Sequence, residues 1–391
     1  MRRYDPIHGL LGLVLVMMLV ANLDGAVPQV LDWIGWAKLG FARAEHGFLL
    51  LAGLAVGLAA RTETGLARRL MLGAYAWQLA LVGGLLALML LAAPAGWSDL
   101  AGPLERRPAA NGIMAALLLY QPAFMAVLPT LVLFLAFAPL MLRAILGGRA
   151  AVVLAVSAGL WVQAQTGMDG MLGAVVGDAM RGLLPGAVAR ADMNPLAWQL
   201  LPVLGFWLGV RAEQGRLDPT AWARVGGRPL VLACLGFTAL MLAMKLAYES
   251  ALFGSAFNAG FAQRLDDTHL HAPGLAGFAA IAFLAAWLLT EGRARGAMPV
   301  RLAGQLLHAV ATLPWLTLLG RNWLPVYAAQ VVLVYAVEHA AEVAGPFGFV
   351  QRLAIGVGAI LLMTLPAWLR DRSQRENTAA PAPVVTRPAE G

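Results

Sequence analysis

The sequence predicts an all-α fold: a polytopic transmembrane helix bundle of about ten spans with both termini in the cytoplasm. Three observations carry that prediction. The 391 residues are 60% hydrophobic and only 13% charged, with a mean hydropathy of +0.73, a balance no water-soluble domain needs. Uninterrupted apolar runs recur along the chain, and in a helical protein such runs read as membrane spans. The basic residues are scattered one to four per connection, as topology signals are, so the net charge of +7 is no sign of a nucleic-acid partner. The single cysteine, Cys234, excludes a disulfide framework and a cysteine-based metal centre.

Taken in order, the apolar stretches are 9–29, 40–60, 70–93, 123–142, 150–165, 196–210, 229–247, 273–290, 302–319, 323–341 and 347–369. The first follows a basic start, has no small-residue cleavage site and ends at Asn22 and Asp24, so it reads as an uncleaved span. Eleven crossings would put the basic tail, with Arg370, Arg372, Arg375 and Arg387, outside the cell. The stretch 302–319 is the weakest span, since it contains Gln305 and His308 and is bounded by Arg301 and Arg321. Reading it as interfacial or re-entrant leaves ten spans and puts 19 of the 28 Lys and Arg residues on the cytoplasmic side, in line with the positive-inside rule. Trp33, Trp36 and Trp97 then fall near the outer face, and Trp222 and Trp368 near the inner one. Pro129, Pro139 and Pro202 fall inside spans, where kinks are expected. One membrane domain, 1–370, is followed by a Pro/Ala/Thr-rich charged tail, 371–391, whose composition is that of disorder.

The stretch GFARAEHGFLLLAGLAVGLAAR, residues 40–61, carries the clearest chemical signal. Arg43, Glu45 and His46 open an apolar run, and ionisable groups at a span are costly enough to suggest function; headgroup-level snorkelling is the simpler alternative. Gly47, Gly53 and Gly57 allow close helix approach. Three outer segments, 94–122, 166–195 and 248–272, are long enough to cover an outward-opening cavity. The outer ends of the first two spans bring Asn22, Asp24, Arg43, Glu45 and His46 to one depth, and segment 266–271 adds Asp266, Asp267, His269 and His271. A histidine beside a carboxylate is the minimal general-base unit for activating a hydroxyl, and an arginine holds a carboxylate or an oxyanion. No metal site is expected, because His269-x-His271 does not place both rings on one helical face. His8 and His308 read as interfacial and His339 as an outer cap. Walker, GxGxxG and GxSxG patterns are absent.

Four stretches are similar to a known family: Asp5-Pro-Ile-His8-Gly9, Gly40 through Gly53, Asn194-Pro-Leu-Ala-Trp198-Gln199-Leu-Leu, and Leu319-Gly320-Arg321-Asn322-Trp-Leu-Pro325-Val. The sequence resembles the OpgC family, membrane succinyltransferases of periplasmic glucans within the acyltransferase-3 superfamily, over roughly residues 1–370. The resemblance implies a multi-pass protein of the bacterial inner membrane. It implies transfer of an acyl group from a cytoplasmic, succinyl-CoA-type donor to a hydroxyl of an extracytoplasmic glucan or other envelope saccharide. The expected partners are the bilayer, the saccharide acceptor and the acyl-CoA donor, with no nucleic acid and no metal. Trp198, Gln199, Gly320 and Arg321 match the family pattern, whereas its polar residues are replaced at His8, Leu19, Arg43, His46, Gly274, Gly277 and Gln330. His46 is therefore expected as a relocated base oriented by Asp24, with Arg43 and Glu45 beside it. Asn22, Trp198, Gln199, Asp267, His269, His271 and Arg321 are expected to bind substrate, and Arg321 and the basic loop 211–228 to attract the anionic donor. A transporter and a catalytically degenerate scaffold on the same fold are the alternatives.

Overall fold

A computed structural model describes residues 5–23, 26–28, 40–63, 65–91, 98–166, 168–217, 219–250, 252–264, 267–345 and 347–379. Their regular structure is helical throughout, apart from one bridge between Tyr120 and Arg190. The helices are α1 (Asp5–Asn22), α2 (Ala44–Ala59), α3 (Leu66–Leu91), α4 (Ser98–Arg106), α5 (Pro108–Ala116), α6 (Val127–Leu146), α7 (Ala150–Gln165), α8 (Met168–Leu183), α9 (Pro195–Trp198) and α10 (Leu200–Glu213). They continue as α11 (Pro219–Glu249), α12 (Ser255–Arg264), α13 (Ala272–Trp287), α14 (Arg293–Arg295), α15 (Met298–Ala311), α16 (Pro314–Arg321), α17 (Trp323–Ala344), α18 (Phe349–Leu362) and α19 (Leu365–Ala379).

Seven helical stretches are long and apolar enough to cross a membrane, or eight if the bent pair α15–α16 counts as one. This is fewer than the ten spans expected. The stretches 40–60, 150–165 and 196–210 form helices of only 16, 16 and 14 residues. At 1.5 Å per residue these reach about 21–24 Å, short of a hydrocarbon core of about 30 Å. Segment 302–319 lies in the bent pair, whose halves meet at 55°. Ala311, Leu316 and Gly320 of that pair all abut α1 between His8 and Gly12, so the pair crosses the first turns of α1 without running along it. The boundary drawn at residue 370 falls inside α19, which stays helical through Ala379; residues 380–391 lie outside the described set.

The kinks expected at Pro129 and Pro202 do not fall in the middle of a helix. Pro129 and Pro202 are third residues of these helices, where no intrahelical donor is needed. Pro139 lies inside α6 with helical backbone on both sides. Trp33, Trp36, Trp97 and the side chain of Trp222 lie outside the described residues, and Trp368 is half exposed beneath the Arg372 guanidinium.

The core sits around α1, in which Leu11, Gly12 and Val14 through Val20 are all buried. The outward faces of α3, α11 and α18 are apolar, with Leu72, Leu90, Leu232, Leu240 and Leu361 exposed. Exposed apolar surface on this scale marks a membrane-facing exterior. At the face where α1 begins, Arg321 bonds Asp5, Arg61 bonds Glu213 at 2.6 Å, and α19 packs on α16. Both ends of the described chain thus lie on one face, called here the terminal face.

Helices α2 and α10 run side by side in the same direction with their backbones in contact. A Cβ on Gly53 or Gly57 would overlap the carbonyls of Pro202 or Phe206, and one on Gly205 or Gly209 those of Leu50 or Leu54. Both residue pairs have the small-xxx-small spacing that lets membrane helices approach. Gly53→Ala or Gly205→Ala should force the pair apart and lower stability by about 1–3 kcal/mol, the usual range for overpacking. Gly83→Ala, where the added methyl meets open space, should not; thermal unfolding in detergent measures both.

In α3, Gln78 is fully buried and neither its Nε2 nor its Oε1 finds a partner among the described residues. Gln78→Leu should therefore raise the thermal midpoint, because a buried unpaired amide costs about 1–3 kcal/mol.

Candidate functional site

At the face opposite the chain ends, a cavity of about 260 Å³ opens between α1, α2, α17 and the irregular stretches before α6 and α9. Its polar walls are Asn22, Arg43, Glu45 and Asp192, and its apolar ones include Met18, Phe124, Trp198 and Tyr327. Helices α2 and α6 start at its edge, so their N-termini face a polar interior instead of the far side of the bundle.

Arg43 is the N-cap of α2, in extended conformation. Its guanidinium holds the Glu45 carboxylate through two bonds, Nε to Oε2 at 3.2 Å and Nη2 to Oε1 at 3.0 Å. The Glu45 side chain is 7% exposed and that of Arg43 43%, so the carboxylate is sunk in the wall and the guanidinium reaches into the opening. An acidic residue in the first turn also suits the positive end of the helix. Asp192 pairs with Arg190 at 2.7 Å. Asn22 meets Gln330 of α17, which is fully buried. In the amide orientation that satisfies both its ends, Gln330 donates to the Leu15 carbonyl and accepts from Leu19 N and Asn22 Nδ2, at 3.2–3.3 Å.

His46 is not in the cavity wall. It is 1% exposed, and its Nδ1 accepts the Arg43 backbone N–H at 3.0 Å, closing the first turn of α2. Its ring packs against Trp198 and Phe278, with centroids 4.9 and 5.5 Å away. His46 is therefore set back from the cavity in which a relocated base was expected, with Nδ1 bonded in the helix cap and the ring enclosed by aromatic faces. Asp24, proposed to orient it, lies outside the described residues.

The remaining expected residues divide. Trp198 lines the cavity and donates its indole N–H to the Thr268 carbonyl at 3.2 Å. Gln199 points away, bonded to the Ser157 hydroxyl and carbonyl at 2.8 and 2.9 Å, so it joins α9 to α7. His269 and His271 lie together, ring centroids 5.9 Å apart, on a turn held by Gln165 and Trp161 of α7; neither lines the cavity. Asp266 and the side chain of Asp267 lie outside the described residues. Arg321 is on the terminal face, bonded to Asp5, and not at this cavity. Asp192, Tyr327 and the wall from Ala123 to Val127 were missed. The Asn194-Pro motif two residues after Asp192 was the nearest available signal, and nothing in the sequence singled out Tyr327.

An ion-paired carboxylate, a guanidinium, an amide and a second carboxylate around an aromatic wall suit a ligand rich in hydroxyls and with a polarisable carbonyl. Fold and site together define a membrane-embedded helical bundle with a polar cavity on the face opposite the ends of the described chain. The family model described as OpgC protein matches residues 3–375, and the chain belongs to the OpgC family. No curated protein and no solved structure matches it.

Because Arg321 and Asp5 form a half-exposed pair, Arg321→Ala should cost no more than about 1 kcal/mol of stability. Thermal unfolding in detergent measures it.

Proposed function

We propose that the protein is an O-acyltransferase of the bacterial inner membrane. In this reading it moves a succinyl-type group from an acyl-CoA donor to a hydroxyl of an extracytoplasmic glucan or related envelope saccharide. The observation that carries this is the Arg43–Glu45 pair in a cavity open on the face away from the chain ends, in a chain of the OpgC family. The saccharide enters from that face. The donor approaches from the terminal face, where Arg61, Arg211, Arg216 and Arg321 supply a field attractive to its phosphates.

The acceptor hydroxyl hydrogen-bonds to Glu45 and its oxygen attacks the thioester carbonyl carbon, while its proton passes to the carboxylate. The Arg43 guanidinium stabilises the tetrahedral oxyanion. The carbon–sulfur bond then breaks, the CoA thiolate leaves and takes up the proton from Glu45, and the new ester stays on the sugar. Asn22 and Asp192 orient neighbouring hydroxyls, and Trp198 offers an apolar edge to a sugar ring.

One set of observations favours a second reading, a binding scaffold without transfer. Two positions where the family resemblance leads one to expect histidines, Leu19 and Gln330, touch each other here. Two further positions where the family's polar residues are replaced, His46 and Gly274, also adjoin: a Cβ on Gly274 would stand 3.7 Å from His46 Nε2. These replacements fall on adjoining positions, as they would if one former site had been dismantled.

Purified protein given radiolabelled succinyl-CoA and a glucan oligomer should esterify the sugar. Glu45→Gln and Arg43→Ala should each lower the rate by about 10²–10³, as for loss of a general base or an oxyanion donor. His46→Gln should retain most of it. Wild-type protein that binds glucan but transfers nothing would establish the scaffold instead.

A further inference from the structure

The stretch joining α5 to α6 forms one wall of the cavity through Ala123, Phe124, Ala126 and Val127. Its backbone is strained: Phe124 has φ +62°, a left-handed conformation that bulky L-residues avoid. Such a residue persists only where its surroundings over-determine it, and such residues cluster at functional sites.

Three sets of contacts hold this wall. The backbone of Arg190 exchanges bonds with Leu119 and Gln121 at 3.2 and 2.9 Å. The buried Gln121 amide closes both ends onto the Met193 backbone, at 3.1 and 2.9 Å. The third set comes from α17, where the Tyr327 hydroxyl donates to the Phe124 carbonyl at 2.7 Å and that of Tyr335 to the Ala123 carbonyl at 2.9 Å. Two consecutive carbonyls at the strained turn are thus fixed by two hydroxyls from one helix. The Tyr335 ring also stands edge-on to the Phe124 ring, at 6.0 Å and 87°. Tyr327 lines the cavity, but Tyr335 is 4% exposed and does not.

We infer that Tyr335 is a positioning residue: with Tyr327 it clamps the left-handed turn at Phe124 and so sets the shape of the saccharide side of the cavity. This rests on the acyl-transfer reading only for its effect on the acceptor; the clamp itself is a property of the fold.

Hydrogen–deuterium exchange and steady-state kinetics on the full-length protein in detergent test it together. Tyr335→Phe removes one hydroxyl and should speed exchange across residues 121–126 by roughly tenfold, the worth of one hydrogen bond, with α2 and α10 unaffected. KM for the glucan should rise by a similar factor, with kcat and the KM for the acyl donor little changed. Phe124→Gly supplies the residue that tolerates positive φ, so adding Tyr335→Phe to that variant should have much less effect. Tyr327→Phe should reproduce the exchange change at the same segment. Unchanged exchange at 121–126, or an equal cost of Tyr335→Phe with and without Phe124→Gly, would overturn the clamp. A wild-type protein without transferase activity would overturn the acyl-transfer reading, while the exchange measurement still decides the clamp.

Discussion

The backbone contact between α2 and α10 is the constraint on which the site depends. With Gly53, Gly57, Gly205 and Gly209 at the seam, the two helices share a direction and nearly a surface. Their far ends are tied by Arg61 and Glu213, and their near ends deliver Arg43 and Glu45 on one side and Trp198, at the end of α9, on the other. A methyl group at the seam would separate the two walls of one cavity. Since lipid offers no hydrophobic drive for helix association, van der Waals fit of this kind is what holds such a pair together.

Much of the architecture was legible in the chain. Long apolar stretches have few solutions in a bilayer, and the charged opening of residues 43–46 did mark the cavity edge. The sequence could not separate Glu45 from His46. Successive helical residues point about 100° apart, so when Glu45 turns to Arg43 and the cavity, His46 turns to Trp198 and Phe278. Nor could it place Arg321, whose partner Asp5 is 316 residues away in the chain. The wall from Ala123 to Val127 comes from irregular backbone, which has no periodicity to read. Seven or eight helices are long enough to cross, against about ten expected, for a related reason: apolar composition reports what surrounds a helix, and α2 and α10 are apolar and short, with protein around much of their surface.

The departures from the family pattern take on a spatial order in the fold. Gly274 lies against His46, and Gln330 reaches Leu19 and Asn22, so changes far apart in sequence fall on neighbouring positions. Gln330 satisfies its amide entirely within α1 and α17, which makes it a joint between helices. The polar walls of the cavity come from α1, α2 and the stretch before α9, through Asn22, Arg43, Glu45 and Asp192.

The enclosure of α1 bears on how the protein is made. Helix α1 is buried along most of its length, and its most extensive contact is with α16, which lies about 290 residues further along the chain. Gly12 and Gly320 let the two backbones touch there, so a side chain at either of them would push α16 off α1. During translation that contact cannot form until about 290 residues after α1 have followed. The centre of the bundle is therefore closed by a pairing of high sequence separation, which carries a large loop-closure cost before it is rewarded.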